Sequence, residues 1–466
     1  MKAMIGLETH VQLRTATKLF CGCTTVSREP NDNVCPICMG YPGSKPALNR
    51  KAVELGTQIA LALNCRVAPE MWFSRKSYFY PDLPKGFQIT QYEVPLASGG
   101  LAEPVLCGKK AGIRIRRVHV EEDPAKLEHE GDIMTAARSL VDYSRSGIPL
   151  CEIVTEPDFE SPAQAREYLE WLLSLLAYLE VIDPRAEGVM RSDANISLDG
   201  GERVEIKNIT GTLMVEQALK SELNRQIGFA NLGKKVARET RLFDGATGRT
   251  VTLRKKEEEE DYGYIFEPDL PIVGMDAIAE GVGKAMREMP EVALARVERL
   301  GVPRGLAHAV VYTPGMLAYF DECSGGYGKP DELARWLAND FLKCMHWNGL
   351  EVRDSPKPEL IVELLGMIDS GEINERAAKD VIKEMFAKGK GAREVMGARA
   401  AGKGESEGEV ISGVIRDNGK AVSDFKAGNA RALQFLIGEV MKKSKARIDP
   451  KRAREMLVKQ LNAGPG

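Results

Sequence analysis

Ala111-Gly112-Ile113-Arg114-Ile115-Arg116-Arg117-Val118-His119-Val120 alternates apolar and polar side chains with a period of two. A strand with one face in a core and the other in solvent requires that pattern. Arg203-Val204-Glu205-Ile206-Lys207-Asn208 and Thr250-Val251-Thr252-Leu253-Arg254 read the same way. Helical spacing interrupts these strands. Ser161-Pro162-Ala163-Gln164 is a capping box with proline at the first helical position, and it launches Leu169, Leu172, Leu173, Leu176 and Leu179. A second helix is expected from Leu213 to Ile227. Strands and helices do not alternate regularly, so the expected class is α+β with an antiparallel sheet.

This pattern covers residues 1–283. From about residue 284 the glycine and strand signals fade and helical stripes take over, one through Leu360, Leu364, Leu365 and Ile368, another through Ile373, Ala377, Val381, Met385 and Phe386. An all-α domain is expected over 284–396. The small, polar run Gly397–Gly408 reads as a linker. A helical tail domain over 409–466 follows, with helices expected from Asn429 to Ser444 and from the cap Asp449-Pro450 to Leu461. No internal repeat is visible.

Composition narrows the class of protein. The chain has 466 residues, 43% hydrophobic and 28% charged, which suits a globular protein of several domains. Its net charge of −3 hides a gradient, because the tail from Glu409 onward carries twelve Lys/Arg against six Asp/Glu. A basic tail suits nucleic acid, although a solvated basic helix pair would look similar. The N-terminus reaches Lys2, Glu8 and His10 without a signal-peptide core, and no apolar stretch is long enough to span a bilayer. Nine cysteines, an odd number, argue for a reducing cytoplasm rather than a disulfide scaffold.

Four of those cysteines fall within eighteen residues, as Cys21-x-Cys23 and Cys35-Pro36-Ile37-Cys38. Two short pairs facing each other across a loop fit a structural Zn²⁺ site closed by four thiolates, with no position open for catalysis. The bland alternative is a set of buried free thiols.

Acidic residues sit on short strand-like segments. Glu8 and His10 are two apart and so share a face, and His119 with Glu121 repeats that geometry ahead of Glu122 and Asp123. Glu152 and Asp193 lie in further segments. Oxygen donors from separate strands are what Mg²⁺ needs to work with substrate phosphates; each carboxylate taken singly suits a solvated strand position just as well. Arg75-Lys-Ser-Tyr78-Phe79-Tyr80-Pro-Asp82-Leu-Pro84-Lys85-Gly86 mixes cations and aromatics in a loop suited to phosphate or nucleotide contact, or to plain aromatic packing. Arg145 could serve as a phosphate fork. The charge run Lys255–Asp261 reads as a solvated helix start or loop. No P-loop, no G-x-G-x-x-G after a strand and no G-x-S-x-G elbow is present.

Taken together, Ile5-Gly-Leu-Glu8-Thr-His10-Val-Gln12, the Cys21–Cys38 knuckle, Tyr78-Phe-Tyr-Pro-Asp82-Leu-Pro84-Lys-Gly86, Val141-Asp-Tyr-Ser-Arg145-Ser-Gly-Ile-Pro-Leu-Cys-Glu152-Ile-Val-Thr-Glu156-Pro-Asp158, Arg191-Ser-Asp193-Ala-Asn195, Glu205-Ile-Lys207-Asn208 and Glu267-Pro-Asp269-Leu-Pro271 closely resemble the B-subunit family of the aspartyl/glutamyl-tRNA amidotransferases. The resemblance spans nearly the whole chain. It departs at Asp261-Tyr-Gly263-Tyr-Ile265-Phe266-Glu267, where the family usually carries an arginine and a proline at the positions of Gly263 and Phe266.

The resemblance implies a cradle-shaped catalytic domain of the glutamine-synthetase and guanidino-kinase type, then a helical domain and a tail that grips tRNA. It implies ATP-dependent phosphorylation of the side-chain carboxylate of mischarged Glu-tRNA(Gln) or Asp-tRNA(Asn), followed by amidation. The ammonia would come from an amidase A subunit, with a small C subunit completing a heterotrimer. Catalytic residues and Mg²⁺ ligands would fall on Glu8, His10, Glu122 (or Glu121), Glu152 and Asp193, and nucleotide contacts on Arg145, Lys207 and Asn195. Two rivals come from other classes: a non-catalytic RNA-binding scaffold, and an ATP-dependent ligase acting on a free small acid. For the cysteine knuckle, native mass spectrometry of freshly purified protein is expected to find one bound zinc ion, and a metal-free mass would refute the assignment.

Overall fold

A computed structural model describes residues 2–130, 136–186, 188–198, 201–255, 263–401, 407–444 and 448–462. It divides into two compact units, Met1–Pro290 and Glu291–Gly466. The first is built on a nine-stranded sheet. Its strands, in chain order, are β1 (Ala3–Gln12), β2 (Arg66–Val67), β3 (Ala97–Ala102), β4 (Ile113–Glu122), β5 (Pro149–Thr155), β6 (Met190–Leu198), β7 (Val204–Thr210), β8 (Glu239–Asp244) and β9 (Arg249–Lys255). Across the sheet the order is β9-β8-β7-β6-β1-β5-β4-β3-β2, which puts the N-terminal strand in the middle. Every pairing is antiparallel except β7 with β8. That exception follows from connectivity, since the long helix between β7 and β8 returns the chain in the same direction.

The strand pattern around Ile113–Val120 becomes β4, and the structure also explains where its alternation ends. Ile113 and Ile115 are buried and Arg114 and Arg116 exposed, but from Val118 to Glu122 every residue is buried. The strand there is covered on both faces. On one face lies helix α1 (Arg50–Ala62), packed so closely that a Cβ on Gly56 would stand 2.8 Å from Val120 Cγ2. On the other lies a three-stranded sheet, Gly263–Phe266, Ser74–Ser77 and Phe87–Thr90, whose Thr90 hydroxyl donates to Glu121 Oε2 at 2.8 Å.

Helix α2 (Pro162–Tyr178) starts at the expected cap, with Ser161 Oγ accepting from the Gln164 amide at 3.3 Å. The return bond of the box goes one residue further back, from the Glu160 amide to Gln164 Oε1 at 2.9 Å. Leu169, Leu172, Leu176 and Leu179 are buried, and Leu175 takes the core position expected of Leu173. Helix α3 (Thr212–Asn231) is longer than the expected Leu213–Ile227 and packs beside α2.

The second unit is helical among its described residues. The two stripes read from sequence become Pro358–Asp369 and Glu375–Lys388, with Leu364, Leu365, Val381, Met385 and Phe386 buried. Two tail expectations need correction. Helix Ala392–Ala401 runs into the stretch read as a linker, because Ala, Arg, Glu and Met are strong helix formers despite the flanking glycines; residues 402–406 lie outside those described. The described residues of the tail form four helices rather than two, Glu407–Asp417, Gly419–Lys426, Ala430–Lys443 and Pro450–Asn462. Ile411, Val414, Leu436, Val440, Ala453 and Leu457 form their common core. No helix is long and apolar enough to cross a membrane among the described residues. Of the charge run Lys255–Asp261, residues 256–261 lie outside the described residues.

One close contact gives a test of the packing. A Cβ on Gly100 of β3 would stand 2.4 Å from Cys65 Sγ and 2.5 Å from the Leu63 carbonyl oxygen, at the end of α1. Gly100→Ala is expected to cost about 1–3 kcal/mol, read as a lower urea midpoint at unchanged slope. A wild-type midpoint would contradict this packing.

Candidate active site and metal centres

Register assembles the site. His10 lies opposite Glu152 and Arg191, Glu152 lies opposite His119, and Glu8 lies opposite Asp193. Residues directly opposite point to the same side of a sheet, and strands are only about 4.8 Å apart. One row therefore reads Arg191, His10, Glu152, His119, and the next carries Asp193 and Glu8. The opposite face of β1 presents Ile5, Leu7 and Val11 to the core, each at most 1% exposed. The functional face opens on a cavity of about 720 Å³, within the range of small-ligand sites. Glu8, His10, Arg117, His119, Glu121, Glu152, Arg191, Asp193 and Lys207 all line it.

Two donor clusters form there. In the first, His10, Glu121 and Glu152 bring ligand atoms within 4.8 Å of one another. His10 Nε2 is 3.4 Å from both Glu121 Oε1 and Glu152 Oε2. His119 Nε2 is 3.1 Å from Glu152 Oε2 and 3.5 Å from Glu121 Oε2. In the second, Glu8, Asp193 and Glu205 meet the same criterion. Asn195 Nδ2 donates to Glu8 Oε1 at 3.0 Å, and Lys207 Nζ reaches Asp193 Oδ2 at 2.8 Å and Glu205 Oε1 at 3.1 Å.

Buried charge decides the protonation of these groups. Burial opposes a charged His10 and His119, but Glu152, with hydrogen bonds to it and to Glu121, outweighs burial and holds both imidazoles above their ordinary pKa. Against the same burial the imidazoles hold Glu121 and Glu152 below theirs. Glu8 goes the other way, raised first by burial and then by the charges of Glu152 and Asp193. Burial opposes the Lys207 ammonium, yet Asp193 and Glu205 keep it charged. Three carboxylates meet around Lys207 in the second cluster, with Arg191 also near Asp193, an oxygen-donor set that suits a divalent cation. In the first cluster a metal would compete with the protons on the imidazoles, so binding there should strengthen as pH rises.

Two sequence-based assignments fail here. Glu122 does not join the cluster. Its carboxylate is on the other face of β4, held by Lys85 Nζ and the Ile89 amide, each at 2.7–2.8 Å. The residue that meets His10 and Glu152 is Glu121, because a period of two places it on the face of His119. Arg145 is not at the cavity either. Its guanidinium is engaged with the Pro124 and Ala125 carbonyls at 3.2 and 3.3 Å and with Asp123 Oδ2 at 3.2 Å. The cations that do line the cavity include Arg117, Arg191 and Lys207. Sequence alone does not single out Glu205, Arg117 and Arg191, although Glu205 and Arg191 lie in the motifs Glu205-Ile-Lys207-Asn208 and Arg191-Ser-Asp193-Ala-Asn195. Glu205 is two residues from Lys207, and that spacing was the available signal.

The four knuckle cysteines also converge, with sulfur atoms all within 4.8 Å. Cys35 and Cys38 sulfurs are 3.8 Å apart, equal to the edge of a tetrahedron with Zn–S of about 2.3 Å. The Cys35 amide donates to Cys38 Sγ at 3.2 Å, and fully buried Lys18 brings its ammonium within 3.8 Å of it. Four thiolates with a nearby cation suit Zn²⁺ in charge and geometry.

Residues 3–279 match the model of the GatB/GatE catalytic domain, and residues 318–461 match that of the GatB domain. Curated relatives align over nearly their full length. The chain is 40% identical to the B-subunit of the aspartyl/glutamyl-tRNA(Asn/Gln) amidotransferase of Carboxydothermus hydrogenoformans, covering 98% of both chains. It is 41% identical to the protein of that name in Thermodesulfovibrio yellowstonii, over 99% of each, and 42% identical to that of Methanosarcina barkeri, over 98% of each. With the catalytic-domain model matched over more than half its length and relatives of this identity along all of it, the chain belongs to the GatB family.

Proposed function

We propose that this chain activates the side-chain carboxylate of mischarged Glu-tRNA(Gln), Asp-tRNA(Asn) or both with ATP, and presents it to ammonia. The ammonia would be made from glutamine by an amidase A subunit, in a heterotrimer completed by a small C subunit. One observation supports this above the others: His10, Glu121 and Glu152, and beside them Glu8, Asp193 and Glu205, gather on one face of one sheet around a single cavity.

A carboxylate resists ammonia because it is anionic and has a poor leaving group. Transfer of the γ-phosphoryl group of ATP to a carboxylate oxygen releases ADP and makes an acyl phosphate. Ammonia then attacks its carbonyl carbon, phosphate departs, and the nitrogen loses a proton. The phosphoryl step needs positioning and charge neutralisation far more than a nucleophile. Mg²⁺, bound by carboxylates of the two clusters, would neutralise the nucleotide's phosphate oxygens. Lys207, steadied by Asp193 and Glu205, is placed to meet anionic oxygens, and Arg117 and Arg191 line the same cavity. Asn195 orients Glu8. A protonated His10 can donate to a phosphate oxygen.

The same reading takes the nine-stranded sheet as the cradle of the glutamine-synthetase and guanidino-kinase type. Support comes from an almost wholly antiparallel sheet with carboxylates and imidazoles on one face and apolar residues on the other. The helical unit would hold tRNA, its tail contributing basic side chains through an attraction that salt weakens. The zinc knuckle would be structural.

Asp193→Ala and Glu152→Ala are each expected to lower ATP-dependent amide formation by about a hundredfold or more, while assembly with partner subunits survives. The measurement is amino-acid analysis of tRNA recovered from the reconstituted complex supplied with mischarged tRNA, ATP and glutamine. Wild-type rates from both variants would refute the site.

A further inference from the structure

Lining the same cavity as the acid–histidine cluster is an aromatic pair that the proposed chemistry leaves without a task. The rings of Tyr92 and Tyr264 stack with centroids 4.0 Å apart and planes 13° from parallel. Both side chains line the cavity and both are half-buried. Core packing does not account for them. Tyr264 lies on the outer strand Gly263–Phe266, and its neighbours Ile265 and Phe266 are 54% and 46% exposed, so no layer of the described residues covers that strand.

The pair is fixed to the reacting end of the site. Thr90 Oγ1 donates to Glu121 Oε2 at 2.8 Å. Gln91 is 1% exposed; its side-chain oxygen accepts from the Val120 amide at 2.9 Å and its carbonyl from Arg117. Tyr92 is thus held one residue beyond an anchor to β4 and two beyond a bond to a cluster carboxylate. Cations accompany it. Lys76 lies opposite Tyr264 across the small sheet and, with Arg116 and Arg117, lines the same cavity.

A rigid aromatic surface beside cations, close to a cluster built for divalent metal, matches the parts of a nucleotide: a base with a flat π-face and a phosphate chain. We propose that Tyr92 and Tyr264 form a stacking platform for an adenine ring, seating an adenosine nucleotide whose phosphates turn towards Arg117 and the carboxylate clusters. This rests on the activity proposed above and adds the residues that hold the base. Two reactants carry that group, ATP and the 3′-terminal adenosine of the charged tRNA, and the shared chemistry is adenosine attached to phosphate.

The test uses the complete complex with its partner subunits and the variants Tyr264→Ala, Tyr264→Phe and Tyr92→Leu. Amide formation is measured with ATP varied and then with mischarged tRNA varied, and Mn²⁺ binding is followed by calorimetry. Losing the ring is expected to raise one Michaelis constant by about tenfold, with Mn²⁺ affinity unchanged and Tyr264→Phe behaving as wild type. A rise for ATP assigns the platform to ATP, a rise for tRNA assigns it to the terminal adenosine, and either supports the inference. Unchanged constants for both substrates in Tyr264→Ala and Tyr92→Leu, with the wild-type complex active, overturn the platform alone. So does Tyr264→Phe failing as badly as Tyr264→Ala, since that would place the effect in the hydroxyl group. A wild-type complex that forms no amide overturns the proposed activity, and the platform with it.

Discussion

Cross-strand register is the constraint on which this molecule depends. With β1 in the middle of the sheet, the pairing of His10 with Glu152 and of Glu152 with His119 puts three candidate site side chains in a row. A slip of one residue in β1 would turn Glu8 and His10 into the core and bring Leu7, Thr9 and Val11 to the cavity. The apolar residues on the back of β1 are completely or almost completely buried, so burial itself enforces the register that chemistry needs. Fold and site are therefore specified by the same alternation.

The row is held by compensation between charges. Burying carboxylates without partners is costly, and each here has at least one cation or hydrogen-bond donor within reach. His10 and His119 stand against Glu121 and Glu152, while Glu8, Asp193 and Glu205 gather around Lys207, with Arg191 also near Asp193. Burial first, and then the charges of Glu152 and Asp193, raises the Glu8 pKa.

Much of this was legible in the residues. Period-two patterns located β4, β7 and β9, and the Ser161-Pro162 cap located α2, because local sterics and capping decide those features. The convergence of Cys21, Cys23, Cys35 and Cys38 was legible because metal-ligand spacing is short-range. Glu121 against Glu122 was harder: His119-Val-Glu-Glu-Asp offers acids of both parities, and only the pairing with Glu152 selects one. Arg145 failed for a related reason, since a lone arginine in a turn carries no sign of whether a cavity or nearby carbonyls will hold it. The tail linker failed because glycine content outweighed the helix propensity of the residues between. Tyr92 and Tyr264 are 172 positions apart in numbering, and no local pattern could have joined them.

The central claim is that β4 supplies Glu121, not Glu122, to a divalent-cation site shared with His10 and Glu152. Calorimetric titration of Mn²⁺ into Glu121→Gln and Glu122→Gln tests it directly. The geometry predicts that Glu121→Gln weakens binding by about tenfold or more while Glu122→Gln binds like the unmodified protein. The reverse outcome, full affinity without the Glu121 charge and loss without that of Glu122, would contradict the account.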